Sequence, residues 1–393
     1  MPNLFQALAS TMAAQTSIVA ASLVMPIVAS VAAADIGLDA KYVGYYTTLV
    51  FVSAMAGALL SGPYVQRLGA IRFSQTTLML AALGTAATAT AVAPLLALGA
   101  LAIGMGFGSA NPAASELLAR AATPARRNLV FSFKQSSVPL GAAMAGVVLP
   151  VLVASLGWRG AVLAAALFLF AVAVALQPWR RGLDAGRQPH ARGSLAHAIP
   201  TIRLVWSHGA LRELALGSAC FSAAQSCFTS FFVPYLAQHQ GMTLIRAGSV
   251  FTVSLFASVA GRLVWGWVAD RMAPRHVLLT LALGVAVAAL LVIAMQPDWP
   301  YAAVLAVGIG FGTTAISWNG VFLAEVAERA PADRIAQVTG GALVFTYFGA
   351  VCGPTVFSTL ATASGSYLTG FGFVVALGVV PALVFLRRPR HVR

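Results

Sequence analysis

Charge is what this chain has least of. Only 9% of its 393 residues are Asp, Glu, Lys or Arg, against 59% hydrophobic, whereas soluble domains are about a quarter charged. So few charges cannot keep a large surface in water, which excludes a soluble globular protein. High hydropathy equally excludes a disordered chain, which needs the opposite composition. Acid is scarcest, with 10 Asp and Glu against 24 Lys and Arg, and no carboxylate lies near the centre of an apolar run. The three cysteines, Cys220, Cys227 and Cys352, all fall inside apolar runs without metal-ligand spacing, so neither a disulfide nor a metal role is expected. There is no His-Glu-x-x-His, no Gly-x-Ser-x-Gly and no Walker loop. These absences argue against a membrane enzyme and an ATP-driven pump, and no cofactor is expected.

Long apolar runs remain, with a mean hydropathy of +0.86. A spanning helix needs about 20 apolar residues, so twelve use roughly 240 and leave the rest for loops. The spans read as 8–33, 42–61, 73–93, 96–119, 129–153, 158–178, 211–237, 245–265, 276–296, 300–327, 335–361 and 366–386. The fold class expected is therefore all-α and polytopic. The first run ends like a signal peptide, but no Lys or Arg precedes it and it is long, so it reads as a span.

The net charge of +14 would suggest nucleic acid in a soluble chain. Here the basic residues punctuate the apolar runs and act as topology signals, so no nucleic-acid partner is expected. With the N-terminus inside, the cytoplasmic side collects nineteen arginines, Arg67 to Arg393, and the outer side only Lys41, Arg159 and Arg246. By the positive-inside rule both termini are cytoplasmic. A polar stretch near the middle, with Arg180, Arg181, Arg187 and Arg192, divides the chain into an N-terminal six-helix half (1–178), a cytoplasmic linker (179–208) and a C-terminal six-helix half (209–393) with a basic tail.

The halves resemble each other. At a constant offset of 204 residues, Gly37, Gly44, Gly57, Gly62, Gly104, Gly106 and Gly108 align with Gly241, Gly248, Gly261, Gly266, Gly308, Gly310 and Gly312. Arg67 aligns with Arg271 and Phe107 with Phe311. Duplication of this kind recurs in secondary transporters, with the substrate site between repeats near the bilayer midplane. Gly104-Met-Gly106-Phe-Gly108 and its copy look superficially like a dinucleotide loop. Inside apolar spans, with no strand before them, they read instead as small-residue helix packing.

After span 2 the chain reads Gly62-Pro-Tyr-Val-Gln66-Arg67-Leu-Gly69, and after span 8 Gly266-Trp-Val-Ala-Asp270-Arg271. With these loops the sequence resembles the major facilitator superfamily, whose hallmark is Gly-x-x-x-Asp-Arg-x-Gly-Arg/Lys-Arg/Lys between helices 2 and 3. The resemblance covers the whole chain and implies two pseudo-symmetric halves, alternating access, and a gating role for Gly62, Arg67, Gly69, Gly266, Asp270 and Arg271. In the first copy Gln66 stands where the family has Asp, so that gate has lost a charge, and Asp270 is expected to matter more.

Lys134 and Arg262 are the two cations well within spans. Lys134 lies seven residues past Arg127, roughly 10 Å into its helix. A buried ammonium needs a partner, and two readings stand: a site that favours an anion, or a structural pair with Glu116, which also serves as a coupling candidate. Lys134-Gln-x-x-x-Pro139-x-Gly141 is also similar to cyanate-transporter-like bacterial facilitators. Arg262 is similar to the arginine with which monocarboxylate and oxalate carriers of the family hold carboxylates; its other reading is a partner of Asp270 or of headgroups. The resemblance implies a cavity lined by helices 1, 4, 7 and 10, which points to Gln15, Asn111, Gln225, Thr229, Trp318 and Asn319, with Tyr347 from helix 11. Interhelical hydrogen bonding is the alternative for each.

Together these readings point to a secondary transporter of a small solute, favouring an organic or small inorganic anion, in a bacterial inner membrane. Protons are the candidate coupling ion, the bilayer is the other partner, and a monomer suffices. A drug efflux antiporter is the rival, and a membrane sensor that has lost transport the remote one.

Overall fold

The computed structural model describes residues 3–36, 43–188 and 198–386. The middle of the linker and the basic tail lie outside the described residues. Helices dominate, and among the described residues there is no strand. The first span, α1, runs Leu4–Ser22 and continues as Val24–Ile36 past a break at Leu23. It is followed by α2 (Val43–Leu68), α3 (Ala70–Thr88) and α4 (Ala93–Ala121). Next, α5 begins at Arg127–Gln135 and continues into Ser137–Ala175, a helix interrupted at Gly157 (φ 70°), beyond which residues 158–175 form α6. After the short helix Ala198–Ser207 come α7 (Gly209–Gln238), α8 (Leu244–Ala269) and α9 (Pro274–Ala294). A break at 316–318 divides α10 into Tyr301–Ala315 and Asn319–Arg329; α11 (Ile335–Ser364) and α12 (Tyr367–Leu386) complete the chain.

Among the described residues, ten stretches are long and apolar enough to cross a membrane, the longest being Pro124–Leu183. The turn at Gly157 makes that one two passes, and α3 supplies the twelfth helix. Termini follow local rules. Asn3 caps α1 by accepting from the N–H of Phe5 (2.9 Å) and Gln6 (3.3 Å), and proline opens α9. Gly69, at φ 89°, turns the chain between α2 and α3 where a Cβ would be strained.

The chain divides into two compact units. One contains Met1–Ala122, Ser136–Leu204 and Ala330–Val344; the other contains Thr123–Gln135, Val205–Arg329 and Phe345–Arg393. Each unit therefore holds most of one six-helix set together with the first turns of α5 or α11 from the other.

Within both units, small residues allow the helices to approach closely. In the first, a Cβ on Gly104 would sit 2.2 Å from the Val50 carbonyl oxygen, and one on Gly108 1.9 Å from that of Ala54, so α4 lies backbone-to-backbone on α2. In the second, a Cβ on Gly312 would lie 2.3 Å from the Ser254 carbonyl oxygen, giving the same approach of α10 to α8. Gly57, Gly62, Gly104 and Gly108 and their copies Gly261, Gly266, Gly308 and Gly312 thus act in packing, whereas a Cβ on Gly241, Gly248 or Gly310 would meet nothing within 4 Å. Gly141 against Thr16 joins α5 to α1, and Gly349 and Gly353 against Ala219 and Ala223 join α11 to α7. Exposed Leu83, Val147, Leu167 and Phe256 suit hydrocarbon surroundings.

Candidate substrate site and gate contacts

In the second unit, Lys134 and Arg262 converge on one residue. Lys134 is 1% exposed and Arg262 2%. The Lys134 Nζ donates to Gln135 Oε1 at 3.1 Å, and Arg262 Nη1 donates to the Gln135 carbonyl oxygen. Gln135 therefore binds one cation through its side chain and the other through its backbone. Arg262 reaches α5 because α8 and α10 are glycine-cut at this level: a Cβ on Gly266 would lie 2.5 Å from Ser132 Oγ, and one on Gly320 2.3 Å from Ser132 Cα. Of the two sequence readings for Arg262, a bond to Asp270 is not the one found.

Asp270 instead accepts from the backbone N–H of Asn128 (2.8 Å) and Leu129 (3.1 Å). These are donors of the first turn of α5 with no intrahelical acceptor, and the carboxylate also meets the positive end of the helix dipole. The Asp270 charge, to which the sequence gives the larger gating role, thus caps a helix start. Arg271 lies over the Trp267 ring (3.7 Å) and donates to the Trp267 carbonyl. Arg127 pairs with Glu328 at 3.4 Å.

The first unit repeats these contacts with different side chains. Gln66 Nε2 donates to the Asp333 carbonyl just before α11. A Cβ on Gly62 would lie 2.6 Å from Gln337 Cβ, and one on Gly340 2.0 Å from the Ala58 carbonyl oxygen. Positions 66, 62 and 58 on α2 thus meet 333, 337 and 340, as 270, 266 and 262 on α8 meet 128, 132 and 135. The carboxylate missing at Gln66 is supplied from another helix: Glu116 on α4 accepts from the Ala336 N–H (3.3 Å) at the start of α11 and lies 4.0 Å from Arg120.

Arg67 is exposed. Gly69 forms a cradle for Asp184, which accepts from the N–H of Ile71 (2.8 Å) and Arg72 (3.0 Å) and so caps α3. Burial pushes the Asp184 carboxyl above its ordinary pKa, against the pull of those N–H groups and of Arg180 and Arg120.

The remaining candidates separate by unit. Gln15 on α1 and Asn111 on α4 are buried in the first. In the second, Gln225 Oε1 accepts from Trp318 Nε1 (3.1 Å) and Asn319 Nδ2 (3.4 Å), at the break of α10, while Phe221 stacks on Trp318. Tyr347 is buried, and Thr229 is exposed with its hydroxyl on the Ser226 carbonyl. Gln135, Asp184 and the start of α11 were missed as functional candidates. Only the spacing Gln135 to Pro139 carried a signal, because a proline removes the donor that the carbonyl four residues earlier requires.

The family model of the Major Facilitator Superfamily matches residues 11–330 and 214–393. The chain belongs to this superfamily. As such it is a multi-pass membrane protein. It is 30% identical over 198 residues to a Mycobacterium tuberculosis protein named "Probable nitrate/nitrite transporter NarK2"; that match spans 49% of this chain and 48% of the relative. It is 22% identical over 392 residues to the Bacillus subtilis protein named "Probable galactarate/D-glucarate transporter GudP", covering 90% of this chain and 84% of that one. Among solved structures it superposes on a bacterial homologue of the iron transporter ferroportin in an outward-facing state, with a TM-score of 0.78 and 14% identity over 98% of both chains. The twelve-helix superfamily fold is thereby shown.

Proposed function

We propose that this chain is a secondary transporter that carries a small anion across a bacterial inner membrane by alternating access, with both termini cytoplasmic. One observation carries the anion assignment: the buried Arg262 guanidinium donates to a neutral group, the Gln135 carbonyl, beside the buried Lys134 ammonium, which donates to the side chain of the same residue. Buried positive charge is costly unless a counter-charge arrives, and an anionic substrate provides one. The relatives support the class, since nitrate, nitrite, galactarate and glucarate are all anions. Gln225, Trp318 and Asn319 join one another at the α10 break and form the neutral, aromatic part of the site. Asp270 at the end of α8 and Glu116 on α4, which accept from the starts of α5 and α11, form the gate.

The test is binding and counterflow with the purified protein. Nitrate, galactarate and small carboxylates are screened by thermal shift, beside lipophilic cationic drugs, on wild type and Lys134→Ala. A ligand that binds only the folded state raises the melting temperature by mass action. An anion that stabilises wild type but not the variant is the expected result. Stabilisation by drugs alone, unchanged in Lys134→Ala, overturns the anion reading in favour of efflux.

A further inference from the structure

The Gln135 carbonyl is an unusual acceptor. In a continuous helix its partner is the N–H four residues on, but that residue is Pro139, which has none. The ladder of α5 breaks here, between Arg127–Gln135 and Ser137, and resumes with Leu140 N–H on the Ser136 carbonyl at 3.2 Å. Arg262 Nη1 supplies the missing donor. Among the described residues this is the one hydrogen bond of Arg262, and its Nε is enclosed without a partner. The repeat shows that packing does not demand a cation at this contact. The matching pair in the first unit is Ala58 with Gly340, two small residues whose backbones touch. A guanidinium wholly out of water, on a carbonyl freed by a proline, has a better partner available in any oxyanion, because an oxyanion brings the opposite charge and can accept two parallel N–H bonds from the guanidinium fork.

We propose that the Gln135 carbonyl is a surrogate acceptor that parks Arg262 while the site is empty, and that an oxyanion substrate displaces it. Pro139 is then a positioning residue, since it leaves the carbonyl in need of the guanidinium. This inference rests on the anion-transporter reading and deepens it to specificity. An ionised oxyanion outcompetes the carbonyl, whereas a neutral amide or alcohol offers Arg262 nothing stronger than it already has. Displacement also leaves the carbonyl without a donor, so the parked state opposes binding.

The experiment measures dissociation constants of nitrate, galactarate and neutral acetamide on the purified full chain. The proteins are wild type, Pro139→Ala, Pro139→Gly, Pro150→Ala, Arg262→Ala and the double variant Pro139→Ala/Arg262→Ala. Either substitution at 139 restores an N–H for the Gln135 carbonyl and loosens its hold on Arg262. The expected result is anion binding about tenfold tighter in both position-139 variants, the effect of weakening one hydrogen bond to a charged group. Pro150→Ala, which changes a proline elsewhere in the same helix, leaves binding unchanged. The gain is absent in the double variant, and acetamide does not bind. Unchanged or weaker anion binding at position 139, with Arg262→Ala still abolishing it, overturns the parking role and leaves the anion site standing. A wild type that binds no anion, or an Arg262→Ala that binds like wild type, overturns both.

Discussion

Asp270→Asn tests the gate most directly. The carboxylate holds two backbone donors of the first turn of α5, at 2.8 and 3.1 Å, and faces the positive end of that helix. Asn retains one acceptor oxygen but sets its amide N–H₂ against the other donor and removes the charge. A hydrogen bond to a charged group contributes ~1.5–3 kcal/mol, a neutral one ~1, and the dipole a few tenths more. The net loss is at least about 2 kcal/mol, roughly thirty-fold or more in the equilibrium between states that keep this contact and states that break it. Gln66→Ala loses one neutral amide bond to the Asp333 carbonyl, about 1 kcal/mol or five-fold. Glu116→Gln, which weakens the carboxylate bond to the Ala336 N–H, falls with Asp270→Asn, because Glu116 supplies the charge that Gln66 lacks. Counterflow of the anion in proteoliposomes reads the effect as initial rate, with expression and melting temperature measured alongside. Equal loss of rate in Asp270→Asn and Gln66→Ala refutes the argument, since it would mean that charge at the two helix starts contributes nothing.

Three further outcomes follow from the geometry. Gly108→Ala places a methyl where 1.9 Å separates it from the Ala54 carbonyl oxygen, so α2 and α4 must part, at a cost of ~1–3 kcal/mol visible as a lower melting temperature; Gly310→Ala, with nothing within 4 Å, leaves it unchanged. Asp184→Ala removes the cap from α3 and destabilises by ~0.5–2 kcal/mol, part of which Asp184→Asn recovers in thermal melts. Asp35, beyond the first candidate span, accepts from Trp158 Nε1 (2.9 Å) and Arg159, and these bonds, Trp158 first, lower its pKa. The ionised form is the one the fold prefers. Its contribution is present above the ordinary carboxylate range and disappears as pH falls through the lowered value. Wild type accordingly melts above Asp35→Asn at pH 6, and the difference shrinks as the pH falls below the ordinary carboxylate range; a difference that grows with acid contradicts this sign.

Much of the molecule was legible in the chain itself. Twelve helices followed from apolar runs of spanning length, because each backbone in a bilayer must satisfy its own hydrogen bonds. The duplication was legible because close helix approach tolerates only small residues, so glycine recurs at fixed spacing wherever the two units repeat one packing. Lys134 and Arg262 stood out because charge inside an apolar run is rare and costly.

What only the tertiary structure decided lies in contacts between residues far apart in sequence. Periodicity along one helix says which residues share a face, not which neighbour that face meets. That Asp270 caps α5, that Glu116 takes over at α11 the place left by Gln66, and that both cations meet at Gln135 depend on where the starts of α5 and α11 are exchanged between the units. Backbone donors and acceptors do this work, and they are identical at every residue, so no side-chain pattern announces them. Pro139 is the instructive exception: its missing N–H was written in the sequence, but which group would fill the gap was a matter of three-dimensional neighbourhood.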